Sequence, residues 1–309
     1  MSSPPVQDLA WLKTIPPSSA LVWATGSVQA RVSQELQFGM APSFDDIPGA
    51  VCTLIAVGGG SLMDQAKYIR ARQRPGLRLV LVPSIWGSGA EASPVVVLNR
   101  EGGKEIASGS EFLPDTVIYW PGLLATVSPA RARRACGDTW AHALEAFLSP
   151  LAGDQLRGQL AILIGEMLRL PLGNDPRWFS LSARACAFQA QASVGLVHGI
   201  AHVLEHPCRA RHPEQEWGHA RLCSAFLLPV MRLNRLASPK WSALARQYAI
   251  DEPAVWDVLQ RLFEPEACSA AFPLLQVNWT KVLRDPCTRT NGALIRSRHL
   301  DEIERLVAA

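Results

Sequence analysis

Apolar positions are distributed differently in the two parts of the chain. Up to about residue 125 they gather in short unbroken runs; beyond residue 128 they recur at three- and four-residue intervals. An unbroken run of four to eight apolar residues between turn signals predicts a strand buried on both faces, whereas a 3.6-residue period predicts an amphipathic helix. Residues 19–25 (Ser-Ala-Leu-Val-Trp-Ala-Thr) make the first strand run, set between Pro16-Pro17 and Gly26, with a helix expected over 28–36. Residues 51–57 (Val-Cys-Thr-Leu-Ile-Ala-Val) make the second and lead straight into Gly58, Gly59, Gly60 and Ser61, followed by a helical pattern over 62–71. A third strand over 77–82 opens into a loop of small and hydroxylated residues from Pro83 to Glu91. Helices are expected over 129–148, 154–170, 181–205 and 222–236, separated by Pro, Gly and Asn breaks. The pattern predicts an α/β domain with a parallel sheet over residues 1–125 and an all-α domain over 126–309. The boundary should be a cleft between packed domains, a usual place for a cofactor to meet a substrate.

Composition narrows the partners. With 309 residues, 48% hydrophobic and 18% charged, the chain is an ordinary globular one, and its net charge of +3 is scattered. There is no basic stripe of the kind that binds nucleic acid, and no apolar run of membrane-spanning length. The N-terminus lacks the basic-then-apolar pattern of a secretion signal. Seven cysteines without a Cys-x-x-Cys spacing read as reduced thiols, so a cytoplasmic protein is expected. Cys136, Cys208 and Cys223 lie near the candidate site in sequence and read as small core residues.

Two stretches carry chemistry. Glycines between a strand and a helix N-terminus let backbone N–H groups approach a pyrophosphate, although such turns also occur without a ligand. The second stretch, from Val194 to His219, holds five of the seven histidines. His198, His202 and His206 fall at i, i+4 and i+8 on one helical stripe, and Asp138 and His142 stand one turn apart upstream. Asp138, His142, His198 and His219 would make a shell of three nitrogens and one oxygen with room for a substrate oxygen. The competing reading is a set of hydrogen-bonded core histidines.

The motifs resemble those of a known family. Gly58-Gly-Gly-Ser-Leu-Met-Asp64-Gln-Ala-Lys67 resembles the GGGSxxDxAK signature of the iron-containing (group III) alcohol dehydrogenases, and the run from Pro83 to Glu91 resembles their PTTAGTGSE loop. Residues 137–147 resemble GxDALTHAIEAY, residues 195–202 are close to GLVHGMAH, and His219 precedes a run to Asn234 similar to HGxANAILLPHVMRYN. Residues 285–291 look like the DxCTxxNP turn. The resemblance implies the dehydroquinate synthase-like fold and a metal, Fe²⁺ or Zn²⁺, on Asp138, His142, His198 and His219. It gives His202 a proton-relay role. Gly58, Gly59, Gly60, Ser61 and Asp64 would hold the dinucleotide pyrophosphate, with Ser84, Ser88 and Lys104 completing the cofactor site.

Departures refine the expectation. The region before Val51 is short, with a strand and helix missing or compressed into 37–48. Thr25-Gly26 stands where many members place an Asp for the ribose 2′-hydroxyl, so NADP(H) is expected over NAD(H), with Arg31 as a counter-charge. Trp120-Pro121 replaces Asp-Pro, serines replace the loop threonines, and Ala220 replaces a glycine. The expected activity is reduction of a small aldehyde or oxidation of an alcohol by a homodimer. Arg131, Arg133, Arg134, Arg209 and Arg211 could select an anionic aldehyde such as phosphonoacetaldehyde, or simply be solvated. The other readings are a dehydroquinate-synthase-like cyclase or lyase, and a cofactor-impaired binding or regulatory homologue.

Overall fold

A strand sends successive side chains to opposite faces, so one that is apolar at every position needs cover on both. The computed structural model describes residues 4–41, 43–44, 47–100 and 103–308, except for the side chains at 99, 100, 103, 104 and 308. Its strands are β1 (Val6–Gln7), β2 (Ala20–Ala24), β3 (Gly39–Met40), β4 (Thr53–Gly58), β5 (Arg78–Pro83), β6 (Val95–Arg100), β7 (Gly103–Ser108) and β8 (Thr116–Ile118). Six of them form a parallel sheet in the order β1-β8-β5-β4-β2-β3, and β6 pairs with β7 in a separate antiparallel hairpin. β4 and β5 sit in the middle. Ile55, Val57, Val80 and Val82 face one core with Val28 and Val32 of α1 (Gly26–Glu35). Leu54, Ala56, Leu79 and Leu81 face the other with Leu62, Met63 and Ala66 of α2 (Gly60–Arg72). Each of the Val, Leu, Ile and Met side chains contributes roughly 1.5–3 kcal/mol by leaving water, and the alanines less.

The chain divides into two units, Met1–Ser128 with Pro176–Ala187, and Pro129–Asp175 with Phe188–Ala309. The second is helical: α3 (Pro129–Leu148), α4 (Asp154–Met167), α5 (Arg177–Ala192, its first part counted with the sheet), α6 (Leu196–Arg211), α7 (His219–Ala237), α8 (Lys240–Gln247), α9 (Glu252–Leu262), α10 (Pro265–Arg284) and α11 (His299–Ala308). Side chains at the start of α5 explain its place with the sheet. Ser182 Oγ accepts the Gly87 N–H at 2.9 Å, and the Phe179 ring lies 5.6 Å from Trp86 and stacks at 5.5 Å on Tyr119. Sequence periodicity cannot show this, because it reports a buried face and not its partner.

The single helix expected over 181–205 is two. α5 stops at Ala192, Ser193 takes a positive φ of 65°, and α6 restarts after Gly195. In the shortened stretch before β4, β3 is the only regular element among the described residues, and it pairs with β2. The hairpin β6–β7 was not apparent from the periodicity.

Behind the glycine turn lies a buried charged cluster. Lys67 Nζ donates to Asp64 Oδ1 at 2.9 Å, Ala90 O at 2.9 Å and Val95 O at 2.6 Å. Glu91, in the short 3₁₀ turn Ala90–Ala92, is buried beside it, and its Oε1 has no hydrogen-bond partner among the described residues. Burial pushes Glu91 up to about 7, against the lowering influence of its own backbone N–H and of Lys67. The folded chain therefore keeps this proton after the unfolded carboxyl, near 4.5, has lost it. The associated stabilisation is complete below about pH 4.5 and disappears as pH rises to about 7, on the order of 3 kcal/mol in all. Glu91→Gln should abolish that dependence: urea unfolding of variant and wild type should diverge in the variant's favour between pH 5 and 7.5. A difference that stays constant with pH would mean Glu91 ionises normally.

Candidate active site

Because β2, β4 and β5 are parallel and in register, with Ala24 opposite Val57 and Gly58 opposite Pro83, their carboxyl ends share one sheet edge. Ligands of open α/β sheets bind at this edge. Thr25, Gly58, Gly59, Gly60, Ser61 and Ser84 are all placed there by the strands they follow. The Thr25 N–H donates to Val57 O at 3.0 Å. Gly59 caps α2, whose first N–H groups have no partner within the helix. Gly60 passes so close to Ser88 that a Cβ would lie 2.8 Å from its Oγ, so the turn and the loop from Pro83 to Glu91 are packed together.

Two expectations for this edge change. Asp64 does not face it freely: Oδ1 takes the Lys67 ammonium and Oδ2 accepts the Val97 N–H at 3.0 Å. It ties α2 to β6 from inside, since a buried carboxylate needs partners and finds them in the unit. Arg31, expected as a counter-charge for a 2′-phosphate, pairs with Glu35 at 3.0 Å, one turn on along α1. The side chain of Lys104 lies outside the described residues.

The helical unit gathers the acid–histidine set. α3 brings Asp138, His142 and Glu145 onto one face at i, i+4 and i+7. α6 brings His198, and α7 begins at His219. Asp138 Oδ1 lies 3.8 Å from His142 Nδ1, 3.7 Å from His198 Nε2 and 3.9 Å from His219 Nε2. The His142 and His198 rings are 4.4 Å apart. Asp138, His142 and His198 are buried and His219 is half-buried. Gly137 makes the approach of α3 to α7 possible, because a Cβ there would meet Ser224 Cβ at 2.7 Å.

Glu145 connects the site to the break before α6. One carboxylate oxygen accepts the Val197 N–H at 2.6 Å, and the other lies 2.6 Å from His198 Nδ1. Asn291 Oδ1 takes the Leu196 N–H at 3.1 Å. The break thus exposes helix-initial N–H groups that a buried anion satisfies, and the same anion leaves His198 Nε2 directed at Asp138. Burial lifts Glu145 to about 7, opposed by the backbone N–H groups of Gly195, Val197 and His198. The motif at residues 137–147 contains Glu145 without assigning it a role; its place three residues after His142, on the same helix face, is the signal for one.

Cys223, read from sequence as core, offers its sulfur 3.6 Å from His219 Nε2. With Asp138, His198 and His219 it presents donor atoms all within 4.8 Å of one another. His202 stands beside this group: its ring stacks on His219 with centroids 5.4 Å apart, and its Nδ1 is 3.5 Å from Asp285 Oδ2. His206 is exposed. Three imidazoles with a carboxylate suit Fe²⁺ and Zn²⁺ alike, and separations of 3.7–3.9 Å are close to the edges of a polyhedron built on bonds of roughly 2.0–2.2 Å. The residues fit such an ion.

Three of the five arginines considered as substrate selectors are engaged with carboxylates. Arg134 forms a two-pronged pair with Glu264, both bonds 2.9 Å; Arg131 pairs with Glu216 at 3.0 Å; Arg209 pairs with Glu205 at 2.7 Å and donates to Trp217 O at 3.0 Å. Their common effect is to hold the segment leading into α7, and so His219.

Residues 48–121 match the family described as iron-containing alcohol dehydrogenase. The probable alcohol dehydrogenase EutG of Escherichia coli K12 is 29% identical over 320 residues, covering 87% of this chain and 77% of that protein. Maleylacetate reductase 2 of Cupriavidus pinatubonensis is 30% identical over 196 residues, 60% of this chain and 52% of its own length. The chain thus spans about half of the one relative and about three quarters of the other. The iron-containing alcohol dehydrogenase of Thermococcus thioreducens shares the fold with a TM-score of 0.72 at 19% identity, covering 99% of this chain and 97% of that one. The sulfoacetaldehyde reductase of Bifidobacterium kashiwanohense, solved with NAD⁺, gives 0.75 at 16% identity, covering 100% and 98%. Sequence likeness to alcohol dehydrogenases runs through both units, a segment of the first matches the iron-containing alcohol dehydrogenase family, and the chain shares the fold of an iron-containing alcohol dehydrogenase from end to end.

Proposed function

We propose that the chain is a metal-dependent oxidoreductase moving hydride between a nicotinamide dinucleotide and a small alcohol or aldehyde, working as an aldehyde reductase. The observation that carries this reading is Asp138 Oδ1 set 3.7–3.9 Å from three imidazole nitrogens, one of them on a ring held by a buried glutamate. Relatives named as a probable alcohol dehydrogenase, a 1-propanol dehydrogenase and a sulfoacetaldehyde reductase support the substrate class.

Asp138, His142, His198 and His219 would hold Fe²⁺, with Zn²⁺ as the other ion suited to the set. When bound, it supplies Lewis acidity toward the substrate oxygen. The protein's own share is positional. Glu145 fixes the tautomer of His198 by occupying Nδ1, so that Nε2 is the ligating nitrogen. His202, not a member of the ligand set, would carry a proton; Asp285 Oδ2 lies 3.5 Å from its Nδ1. Gly58, Gly59, Gly60 and Ser61 would take the pyrophosphate on the α2 N-terminus, with Thr25, Ser84 and Ser88 beside it. Paired as they are, Arg131, Arg134 and Arg209 add little support to selection of an anionic aldehyde such as phosphonoacetaldehyde.

Asp138→Ala or His198→Ala should lower turnover at least 100-fold and strip the iron while far-UV circular dichroism stays unchanged. Glu145→Gln, which keeps the shape but loses the charge, should weaken iron binding about 10–100-fold. Iron content and activity measured together test this, and an iron-free variant with full turnover would remove the metal from the mechanism.

His202→Ala should slow turnover about 10²-fold or more with iron retained, whereas His206→Ala should match wild type. Equal losses in the two variants would mean the helix, and not the His202 ring, is at stake.

Cofactor choice rests on Thr25. It puts no charge at the end of β2, where a carboxylate would repel a 2′-phosphate, so NADPH should be preferred. The ratio of kcat/KM for NADPH and NADH measures this, and Thr25→Asp should move it about tenfold or more toward NADH. A wild type that already favours NADH would sink the assignment.

A further inference from the structure

A second set of ligand-type side chains lies outside the four residues assigned above. His202, Asp285 and Cys287 offer Nδ1, a carboxylate oxygen and a sulfur all within 4.8 Å of one another. His202 Nδ1 is 3.5 Å from Asp285 Oδ2 and 3.9 Å from Cys287 Sγ. A tetrahedral Zn²⁺ with bonds of about 2.0–2.1 Å to oxygen and nitrogen and about 2.3 Å to sulfur needs nitrogen–oxygen and nitrogen–sulfur edges of roughly 3.3–3.7 Å. The observed spacings are within a few tenths of that before any ion has drawn them in.

The three groups are held by backbone and not only by each other. The Cys287 N–H donates to Asp285 Oδ1 at 2.8 Å, which leaves Oδ2 for the His202 side. The turn that carries Asp285 and Cys287 is tied to the start of α6: the Thr290 hydroxyl donates to Val194 O at 2.7 Å, and Asn291 Oδ1 accepts the Leu196 N–H. His202 and Asp285 keep 16% and 13% of their side-chain surface exposed, and Cys287 is only half-buried, so an ion can reach them. A thiolate, an imidazole and a carboxylate with a fourth position open form a donor set for Zn²⁺ and not for the oxygen-seeking Mg²⁺ or Ca²⁺.

We propose that His202, Asp285 and Cys287 form a second divalent-metal site of the zinc class, separate from the Asp138 cluster. Binding forms bonds from the ion to Nδ1, a carboxylate oxygen and Sγ, and the thiol proton leaves to solvent; no electrons are transferred. Occupancy takes His202 out of use as a proton carrier, so zinc at this site inhibits. That consequence rests on the relay role given above, whereas the site itself does not.

The test uses chelator-stripped full-length protein titrated with Co²⁺ as a spectroscopic stand-in for Zn²⁺, with metal counted after gel filtration. Because Cys223 is a second sulfur near His219, the background is Cys223→Ser. In that background two equivalents should bind, with thiolate-to-cobalt charge-transfer absorption. Adding Cys287→Ser should remove that absorption and one equivalent, weakening the site at least 100-fold; Asp285→Asn gives an independent second variant. Adding His198→Ala should leave one equivalent with the absorption intact. A single equivalent without thiolate absorption in the Cys223→Ser protein, or absorption that survives Cys287→Ser, overturns the proposal. If His198→Ala leaves both equivalents bound, the Asp138 assignment fails while this one stands.

Discussion

One buried carboxylate organises the helical unit. Glu145 accepts the first N–H groups of α6 and holds His198 Nδ1, so a helix end and the His198 ring depend on the same two oxygens. A helix that begins inside a protein leaves N–H donors without partners, and each one left unsatisfied costs about 1–3 kcal/mol. The break between α5 and α6 would be costly without the glutamate, and the glutamate, as a lone buried anion, would be costly without the break. Each makes the other tolerable, and together they fix the direction of His198 Nε2.

The remaining members of the cluster arrive by closeness of helices and by charge pairing. Gly137 lets α3 lie against Ser224 of α7, which sets Asp138 near the start of α7. The segment before α7 is held by Arg131, Arg134 and Arg209 through Glu216, Glu264, Glu205 and Trp217 O, while Arg221 lies over the Trp217 ring at 4.4 Å. The exposed pair Arg131–Glu216 contributes little by itself, but with the largely buried Arg134–Glu264 pair beside it the segment has less freedom to move. Through Glu216 and Trp217 they hold the segment that leads into His219.

In the sheet unit the same economy of buried charge applies. Lys67 and Asp64 neutralise each other while bonding to Ala90, Val95 and Val97, so α2, the loop after β5 and the hairpin strand β6 are fastened at one point behind the glycine turn. Glu91 beside them has no hydrogen-bond partner for Oε1 among the described residues, and its burial raises the pH at which it gives up its proton.

The sequence by itself determined the elements with strong local signals. The runs at 51–57 and 77–82 became β4 and β5 within a residue or two, and the 129–148 period became α3, because continuous apolar runs and helical periodicity are short-range properties. It also brought Asp138, His142, His198 and His219 forward as a set. Tertiary structure decided what those residues meet. Ser193 with its positive φ, the assignment of the first part of α5 to the sheet unit, and the hairpin β6–β7 all depend on partners distant in sequence. Asp64, read as a cofactor contact, meets Lys67 and the Val97 N–H, partners 3 and 33 residues away that the glycine motif does not announce. Cys223 and Cys287 read as ordinary thiols in one dimension, and only the fold brings each sulfur within 4 Å of an imidazole nitrogen, since side-chain proximity across helices leaves no period in the chain.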